Sequence, residues 1–319
     1  MMKNSAQEKI CNYLKNSKSL RFSLNLDSLS SSKKSHLKKL ICPGIRGLKF
    51  LFLPIDHGLE HGPSDFLENP PSIDPEYELS LSMQCKLSGV VMHLGLAEKY
   101  WQRKQFKKRV NLVLKLNGKT FFGDDSEAFS PLLCSVEDGV KLGAEAVGYT
   151  FYVGSPKEAD DFRQFKKVRR EAEEFGIPLI VWSYPRGRIV ESKIGKDSWA
   201  TVSYAARMAN EIGADLVKLN LPVNENENEK ELNTSPFKNY LPYEKISFLD
   251  KLFWAREAAG AVGALVSGGK YKNEIELLEN IRLSNRAGFD GIMFGRNLWQ
   301  RPYDEAVSLI EKIKRVISD

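Results

Sequence analysis

Short apolar runs, each followed by a longer amphipathic segment, recur along this chain from residue 48 to its end. Strands that alternate with helices in this way are typical of repeated βα units, which build a parallel sheet. The eight runs are LKFLFLPID (48–56), GVVMHLG (89–95), NLVLKLNG (111–118), AVGYTFYVG (146–154), PLIVWSYPRG (178–187), LVKLNLP (216–222), GALVSGG (263–269) and GIMFGRN (291–297). Eight strands with crossover helices favour a closed (β/α)8 TIM barrel. An open Rossmann sheet needs fewer strands and a GxGxxG fingerprint after the first, where this chain has Asp56-His57-Gly58.

The segments between the runs predict the helices of the barrel. The candidates are 76–87, 156–175, 197–212, 246–260, 273–287 and 302–317. Gly176, Gly213 and Gly288 stand where a left-handed helix C-cap is expected. We therefore predict a single barrel domain over 48–319, a basic N-terminal helical extension over 1–47, and a long acidic loop at 222–245. A loop of that length after the sixth strand is an insertion or a mobile lid beside the active site.

The composition is that of a globular protein without a membrane-spanning segment. Of the 319 residues, 42% are hydrophobic and 28% charged, which allows a sizeable buried core. No apolar run approaches the roughly 18 residues that span a bilayer, and the first residues lack the apolar core of a signal peptide. We therefore expect a cytoplasmic protein with no membrane partner. The cysteines are far apart without a CxxC pair, which favours structural reduced thiols over a disulfide framework or a zinc cluster: Cys11, Cys42, Cys85 and Cys134.

The net charge of +6 raises the question of nucleic acid. Much of it comes from nine lysines and arginines between Lys3 and Lys39, opposed there only by Glu8 and Asp27. No aromatic or glycine pattern of a nucleic-acid module accompanies them. We interpret the segment LDSLSSSKKSHLKK as a solvated helix and linker, and we expect no nucleic-acid partner.

Polar residues near the ends of barrel strands are informative, because these strands are normally apolar on both faces. In the sixth run Leu216, Lys218 and Asn220 share one face, and the residues between them are uniformly apolar and suit the helix layer. Lys218 is therefore predicted to point into the barrel.

The same alternation sends other polar side chains inward. They are Asp56 (with Phe52 and Pro54), Lys115 (with Val113 and Asn117), and Tyr184 and Arg186 (with Trp182). A lysine in an apolar barrel beside other cations has a lowered pKa, which exposes the neutral amine that attacks a carbonyl. This arrangement predicts Schiff-base chemistry at Lys218. The alternative is a buried ion pair between Lys218 and Asp56 that stabilises the barrel, and spacing alone leaves both open.

Two glycine-rich stretches end the last two strands. They are Ser267-Gly268-Gly269 and Gly295-Arg296-Asn297. Backbone N–H groups of such loops form the phosphate site common in these barrels, and Arg296 can add a charge-assisted contact. The alternative is that the glycines only turn the chain.

The segment His57-Gly58-Leu59-Glu60-His61 matches the HxxEH pattern of some zinc peptidases. That pattern binds zinc only on a helix, where residues four apart share a face. Because Gly58 and Gly62-Pro63 flank it, we expect a loop that shapes the site rather than a helix, and no metal.

These stretches together carry a family likeness. IDHGLEHGP, AVGYTFYVGS, VWSYPRG, DLVKLNLP, VSGGK and GRNLWQRP occur in this order between about Phe52 and Arg301. In them the chain resembles the archaeal-type, DhnA-like class I fructose-bisphosphate aldolases of the DeoC/FbaB-type aldolase family. The same family includes enzymes that make an aminodideoxyheptulosonate and a thiolase acting on a phosphorylated diketone. The resemblance implies a homo-oligomer with the N-terminal arm as one contact, a sugar-phosphate substrate, and no cofactor.

The resemblance also implies roles for residues. The imine-forming lysine corresponds to Lys218, the general acid/base tyrosine to Tyr184, and the first-strand aspartate to Asp56. Substrate and phosphate contacts correspond to Trp182, Arg186, Ser267, Gly268, Gly269, Gly295 and Arg296, with Lys115 added from its inward position. The residues Leu219-Asn220-Leu221 and the acidic loop depart from the family pattern, so the resemblance leaves open what the second half of the substrate is.

Two other classes of function compete with the aldolase. One is a barrel that isomerises or hydrolyses a sugar phosphate without covalent attachment, with Asp56 or Glu60 as base; it would give no borohydride-trappable imine. The other is a basic RNA-binding or scaffold protein, which salt-sensitive retention on nucleic acid would reveal.

Overall fold

The computed structural model describes residues 13, 23–47, 49–222 and 247–318. Eight parallel strands close into a barrel in chain order, with β1 paired to β8. They are β1 Phe50–Pro54, β2 Gly89–His93, β3 Leu112–Lys115, β4 Ala146–Val153, β5 Leu179–Pro185, β6 Leu216–Leu219, β7 Gly263–Ser267 and β8 Gly291–Met293. Each of them lies within one of the eight apolar runs, so the predicted TIM barrel is confirmed.

Helices connect the strands and form the outer layer. The α-helices are Ser31–Leu40, His57–Glu60, Pro75–Gln84, Leu94–Leu96, Lys104–Lys107, Val136–Leu142, Glu158–Phe175, Trp199–Ile212, Phe248–Ala259, Glu274–Arg286, Arg296–Trp299 and Tyr303–Ser318. Short 3-10 segments are Leu26–Ser28, Pro63–Phe66, Pro70–Ile73 and Asp125–Glu127, and π-helical turns are Ala97–Trp101 and Val190–Ile194. All six predicted helices are present, and Gly176 and Gly213 are left-handed C-caps with φ of 62° and 86°.

The core has two layers, because alternate strand residues face opposite sides of the sheet. Leu216 packs with the side chains that fill the barrel interior, whereas Val217 and Leu219 pack in the layer between sheet and helices. The interior layer comprises Phe50, Phe52, Val91, Val113, Ala146, Ile180, Trp182, Leu216, Leu265 and Met293. The inward face predicted for β6 is therefore the observed one.

The N-terminal helix closes the end of the barrel where the strands begin. Leu37 and Leu40 belong to the interior layer. The Nζ of Lys33, only 2% exposed, lies 2.6 Å from a Glu173 carboxylate oxygen and 2.9 Å from one of Asp215. The helix expected in this segment is present, but it is not fully solvated, because Lys33, Leu37 and Leu40 are buried against the barrel. The rest of the predicted extension, residues 1–12 and 14–22, lies outside the described residues, as does the acidic loop beyond Pro222.

Three of the four cysteines fall within the described residues, and all three are free thiols: Cys42, Cys85 and Cys134. Burial raises their pKa to about 11, 11 and 12, respectively, so none is poised to act as a nucleophile. Cys11 lies outside the described residues. In the part of the chain that the structure describes, no helix is both long enough and apolar enough to cross a membrane.

Candidate active site

A cleft of about 900 Å³ opens at the carboxyl ends of the strands. This is the end of a TIM barrel at which active sites are found. The structure brings nearly all the predicted site residues together in its wall: Asp56, Trp182, Tyr184, Arg186, Lys218, Ser267, Gly268, Gly269, Gly295 and Arg296. Lys115 is the exception, because its side chain is fully buried beneath the cleft floor.

Lys218 projects from β6 into the cleft and is 5% exposed. Its Nζ lies 5.5 Å from the centre of the Trp182 ring and 5.8 Å from that of Tyr184. Within the described residues no carboxylate lies within ion-pairing distance of it. Burial lowers the pKa of Lys218 to about 8 against the opposing charges of Asp56 and Glu60, and the charge of Arg296 lowers it further. With a pKa of about 8, roughly a tenth of this side chain is a neutral amine at pH 7, far more than for a lysine with the ordinary pKa of 10.5.

The ion pair of Asp56 is made by Lys115. The Lys115 Nζ lies 3.5 Å from Asp56 Oδ2 and 3.6 Å from Glu60 Oε1, and 4.9 Å from the centre of the Trp182 ring. The alternative in which Lys218 pairs with Asp56 is wrong. β3 is two strands from β1 around the barrel and β6 is three strands from it, and of their two lysines Lys115 is the one within ion-pairing distance of the carboxylate.

Asp56 is buried and Tyr184 is half-buried, and their surroundings shift the two pKa values in opposite directions. Burial pushes the pKa of Asp56 up, but the charges of Lys115 and, to a lesser degree, His57 hold it well below its usual range. Burial raises the pKa of Tyr184 well above its usual value, and the carboxylates of Asp56 and Glu60 add to the effect. The cleft that Lys218 enters is therefore also lined by an ionised carboxylate and a neutral phenol.

Gly148 in β4 makes room for Trp182 in β5. A Cβ at position 148 would lie 2.7 Å from the indole ring, closer than atoms can pack. The indole ring can therefore lie where the ammonium groups of both Lys115 and Lys218 are over its face. No sequence signal distinguishes this glycine, since its partner becomes a neighbour only through strand pairing.

The loops after β7 and β8 are joined by Asn297, whose role the sequence did not reveal. This fully buried side chain donates from Nδ2 to the carbonyl oxygens of Gly268 (3.0 Å) and Lys270 (3.2 Å), and its Oδ1 accepts from the N–H of Lys272 (2.8 Å). Gly269 has a φ of +63°, which suits glycine. The buried Nε of Arg296 has no hydrogen-bond partner among the described residues. This corner of the cleft thus offers an unused donor to an anion.

A second basic group lies across the cleft and includes two lysines that the sequence did not single out. Lys119, Arg186 and Lys196 all line the wall. Asp125 tethers two of them, at 2.6 Å from Lys119 Nζ and 3.5 Å from Arg186 Nε. Asn220, where the sequence departs from the family pattern, donates to Asp197 Oδ1 at 2.6 Å, and both residues line the cleft.

The HxxEH segment forms one helical turn, His57–Glu60, so the expectation of a loop there is wrong. A helical turn is possible here because Gly62, whose φ of +78° is not helical, lies beyond the end of the turn at Glu60. The rings of His57 and His61 are stacked, with centres 5.5 Å apart, and burial lowers the pKa of His57 to about 3. Within the described residues, no group of three or more histidines, cysteines and carboxylates is placed to hold a metal ion.

Comparison with known proteins assigns the family. The sequence profile of the DeoC/LacD family aldolases matches residues 50–301. A class 1 fructose-bisphosphate aldolase of Thermoproteus tenax is 42% identical over 255 residues, covering 79% of this chain and 84% of its own, and one of Halobacterium salinarum is 32% identical over 266 residues, covering 83% and 89%.

A solved structure of an archaeal fructose-1,6-bisphosphate aldolase superposes with a TM-score of 0.74 at 36% identity, covering 89% of this chain and 100% of the other. In that protein the catalytic lysine is covalently bound to the carbinolamine intermediate of the substrate. The barrel, the cleft and the profile match agree, and this chain belongs to the DeoC/LacD family of aldolases.

Proposed function

We propose that this protein is a class I fructose-bisphosphate aldolase, which reversibly cleaves fructose 1,6-bisphosphate to dihydroxyacetone phosphate and glyceraldehyde 3-phosphate. The observation that carries the proposal is the state of Lys218. Its amine is buried at the floor of a cleft, makes no ion pair within the described residues, and has a pKa of about 8. A desolvated lysine of this kind is the nucleophile of Schiff-base enzymes.

The first half of the cycle uses the neutral amine. Lys218 adds to the C2 carbonyl carbon of the open-chain sugar, and loss of water from the carbinolamine gives a protonated imine. Asp56, kept ionised by Lys115, is the carboxylate beside Lys218 that can accept a hydroxyl proton. When the C4 hydroxyl loses its proton, the C3–C4 bond breaks, its electron pair moves into the iminium, and glyceraldehyde 3-phosphate leaves.

The second half returns the lysine. The enamine that remains on Lys218 takes a proton at C3, and Tyr184 can supply it, because burial keeps its phenol protonated. Water then hydrolyses the imine, which frees dihydroxyacetone phosphate and regenerates the amine. The iminium is the electron sink throughout, so the cycle asks nothing of a metal ion.

The charge around the cleft supports a substrate with a phosphate at each end. Arg296, with its unpaired Nε, lies beside the glycine-rich loops after β7 and β8. Lys119, Arg186 and Lys196 lie along the wall formed by the loops after β3 and β5. Two basic groups that flank one amine suit a bisphosphate better than a monophosphate.

Borohydride reduction tests the covalent step. In the presence of dihydroxyacetone phosphate, borohydride should fix the adduct on Lys218, and peptide mass spectrometry should locate it there. Lys218→Met should abolish both labelling and cleavage while the barrel stays folded, because methionine keeps the bulk of the stem. Lys115 is the internal control. An adduct on Lys115 would move the nucleophile to β3, and no adduct on either lysine, with turnover retained by Lys218→Met, would leave the non-covalent isomerase or hydrolase in its place.

The proposal extends to location and assembly. We infer a cytoplasmic enzyme that works as a homo-oligomer, on the resemblance to its family. Light scattering after size-exclusion chromatography tests the assembly, and a monomer at micromolar concentration would contradict it.

A further inference from the structure

Glu60 belongs to the active site, although neither the sequence pattern nor the proposed cycle gives it a task in the aldol reaction. Its carboxylate lines the cleft, and its Oε1 is buried without a hydrogen-bond partner among the described residues. The only cation within ion-pairing distance of it, in that part of the chain, is Lys115 at 3.6 Å. Glu60 is half-buried, with 21% of its side chain exposed, but a buried oxygen without a hydrogen-bond partner is costly, so its position beside Lys115 calls for a function.

The geometry of Lys115 indicates what that function is. Its Nζ lies at nearly equal distances from Asp56 and Glu60, 3.5 and 3.6 Å. Both distances exceed the roughly 2.7–2.9 Å of a full charge-assisted hydrogen bond. The ammonium is therefore shared between two carboxylates and held tightly by neither.

The charge of Glu60 affects how strongly Lys115 holds Asp56. Without the charge of Glu60, the Lys115 ammonium would move towards Asp56 and pair with it alone, because, among the described residues, Asp56 would be the one counter-charge left beside the buried Lys115. That closure would engage Asp56 Oδ2 and weaken the negative field that Asp56 directs towards Lys218. We propose that Glu60 is a positioning residue: it draws Lys115 part of the way from Asp56 and so keeps the Asp56 carboxylate open to Lys218 and to the substrate.

Charged and titratable groups face Lys218 from several elements. Asp56, His57 and Glu60 follow β1, Arg296 follows β8, and Tyr184 lies on β5. His57, with a pKa of about 3, carries no charge near neutral pH. The two carboxylates raise the pKa of Lys218, and Arg296 lowers it. Removal of Glu60 takes away one of the two negative charges that raise the pKa of Lys218. It also weakens the effect of the other, Asp56, because Lys115 then pairs with Asp56 alone. The pKa of Lys218 must then fall, and since the amine attacks in its neutral form, the acidic limb of kcat/KM must move to lower pH.

The test is the pH profile of kcat/KM for Glu60→Gln, with folding checked by circular dichroism and thermal melting. This inference rests on the proposed function. The acidic limb should shift down by about 0.5–1 pH unit, and kcat at the plateau should fall, because Asp56 is less available. Glu60→Asp, which restores the charge, should bring the limb back towards its wild-type position. The matched control is Glu127→Gln, a carboxylate at the surface that pairs with Arg188 and does not line the cleft; its profile should match wild type.

The outcomes separate the two proposals. If borohydride with dihydroxyacetone phosphate fails to label the wild-type protein, the aldolase proposal fails and Glu60 is not at issue. If labelling succeeds but the limb of Glu60→Gln stays in place, whether or not kcat falls at all pH values, Glu60 is not a positioning residue. Should Glu60→Gln not fold, Glu60→Met removes the same charge with a similar bulk and carries the same expectation. Failure of both to fold would show that Glu60 serves the barrel, which equally overturns the inference.

Discussion

Replacing Lys218 should stabilise the folded protein while it abolishes the proposed chemistry. The pKa of Lys218 falls from 10.5 to about 8 in the folded chain, chiefly because the ammonium is buried. Each pKa unit corresponds to about 1.4 kcal/mol, so carrying the charged form into the fold at pH 7 costs about 3 kcal/mol. Lys218→Met removes this cost and keeps the bulk of the side chain.

The pH dependence of the stability gain shows whether it comes from the buried charge of Lys218. A lowered folded-state pKa means that the cost is fully present below about pH 8 and disappears as pH rises through the unfolded value of 10.5. The free energy of unfolding of Lys218→Met should therefore exceed that of wild type by about 3 kcal/mol at pH 7 and by about 2 kcal/mol at pH 9.

Urea denaturation followed by circular dichroism measures both values, provided that the m-value is unchanged. Lys167→Met is the control, because that lysine is 66% exposed and lies 4.0 Å from its partner Glu171. Its stability should stay within about 0.5 kcal/mol of wild type at either pH. A Lys218→Met variant no more stable than wild type at pH 7 would refute the assigned burial cost. An equal gain at pH 7 and pH 9 would attribute the effect to packing instead of charge.

Three further outcomes are expected. Arg296→Ala should raise KM for the sugar bisphosphate more than it lowers kcat, because it removes a contact to phosphate worth about 1.5–3 kcal/mol; an unchanged KM would place the phosphate elsewhere. EDTA should leave the rate of cleavage unchanged, because the imine supplies the electron sink; activity lost on chelation and restored by zinc would contradict the class I mechanism. Lys33→Met should destabilise the fold by about 3 kcal/mol or more in urea, because it leaves Asp215 buried without its cation; wild-type stability would show that the pair contributes nothing.

The similarity to class 1 fructose-bisphosphate aldolases and the lining of the cleft agree with the chemistry that the sequence motifs indicate. Lys218 is a clear case. Strand alternation placed it inside the barrel, and the observed packing of Leu216 and Val217 on opposite faces agrees with that placement. Its role as nucleophile stays a prediction until the adduct is mapped.

The order of strands and helices, the glycine caps and the inward faces of β1, β3, β5 and β6 were readable from the sequence, because they depend on local periodicity and on residues a few positions apart. Which charges meet was not readable. The sharing of Lys115 between Asp56 and Glu60, and the burial of Lys33 against Glu173, join residues that are far apart in the chain. Such pairs depend on how the barrel closes and how far each side chain reaches across neighbouring strands. Local pattern predicts the barrel but not which side chains meet inside it, so only the tertiary structure could decide which carboxylate each lysine pairs with and which lysine is left as a free amine.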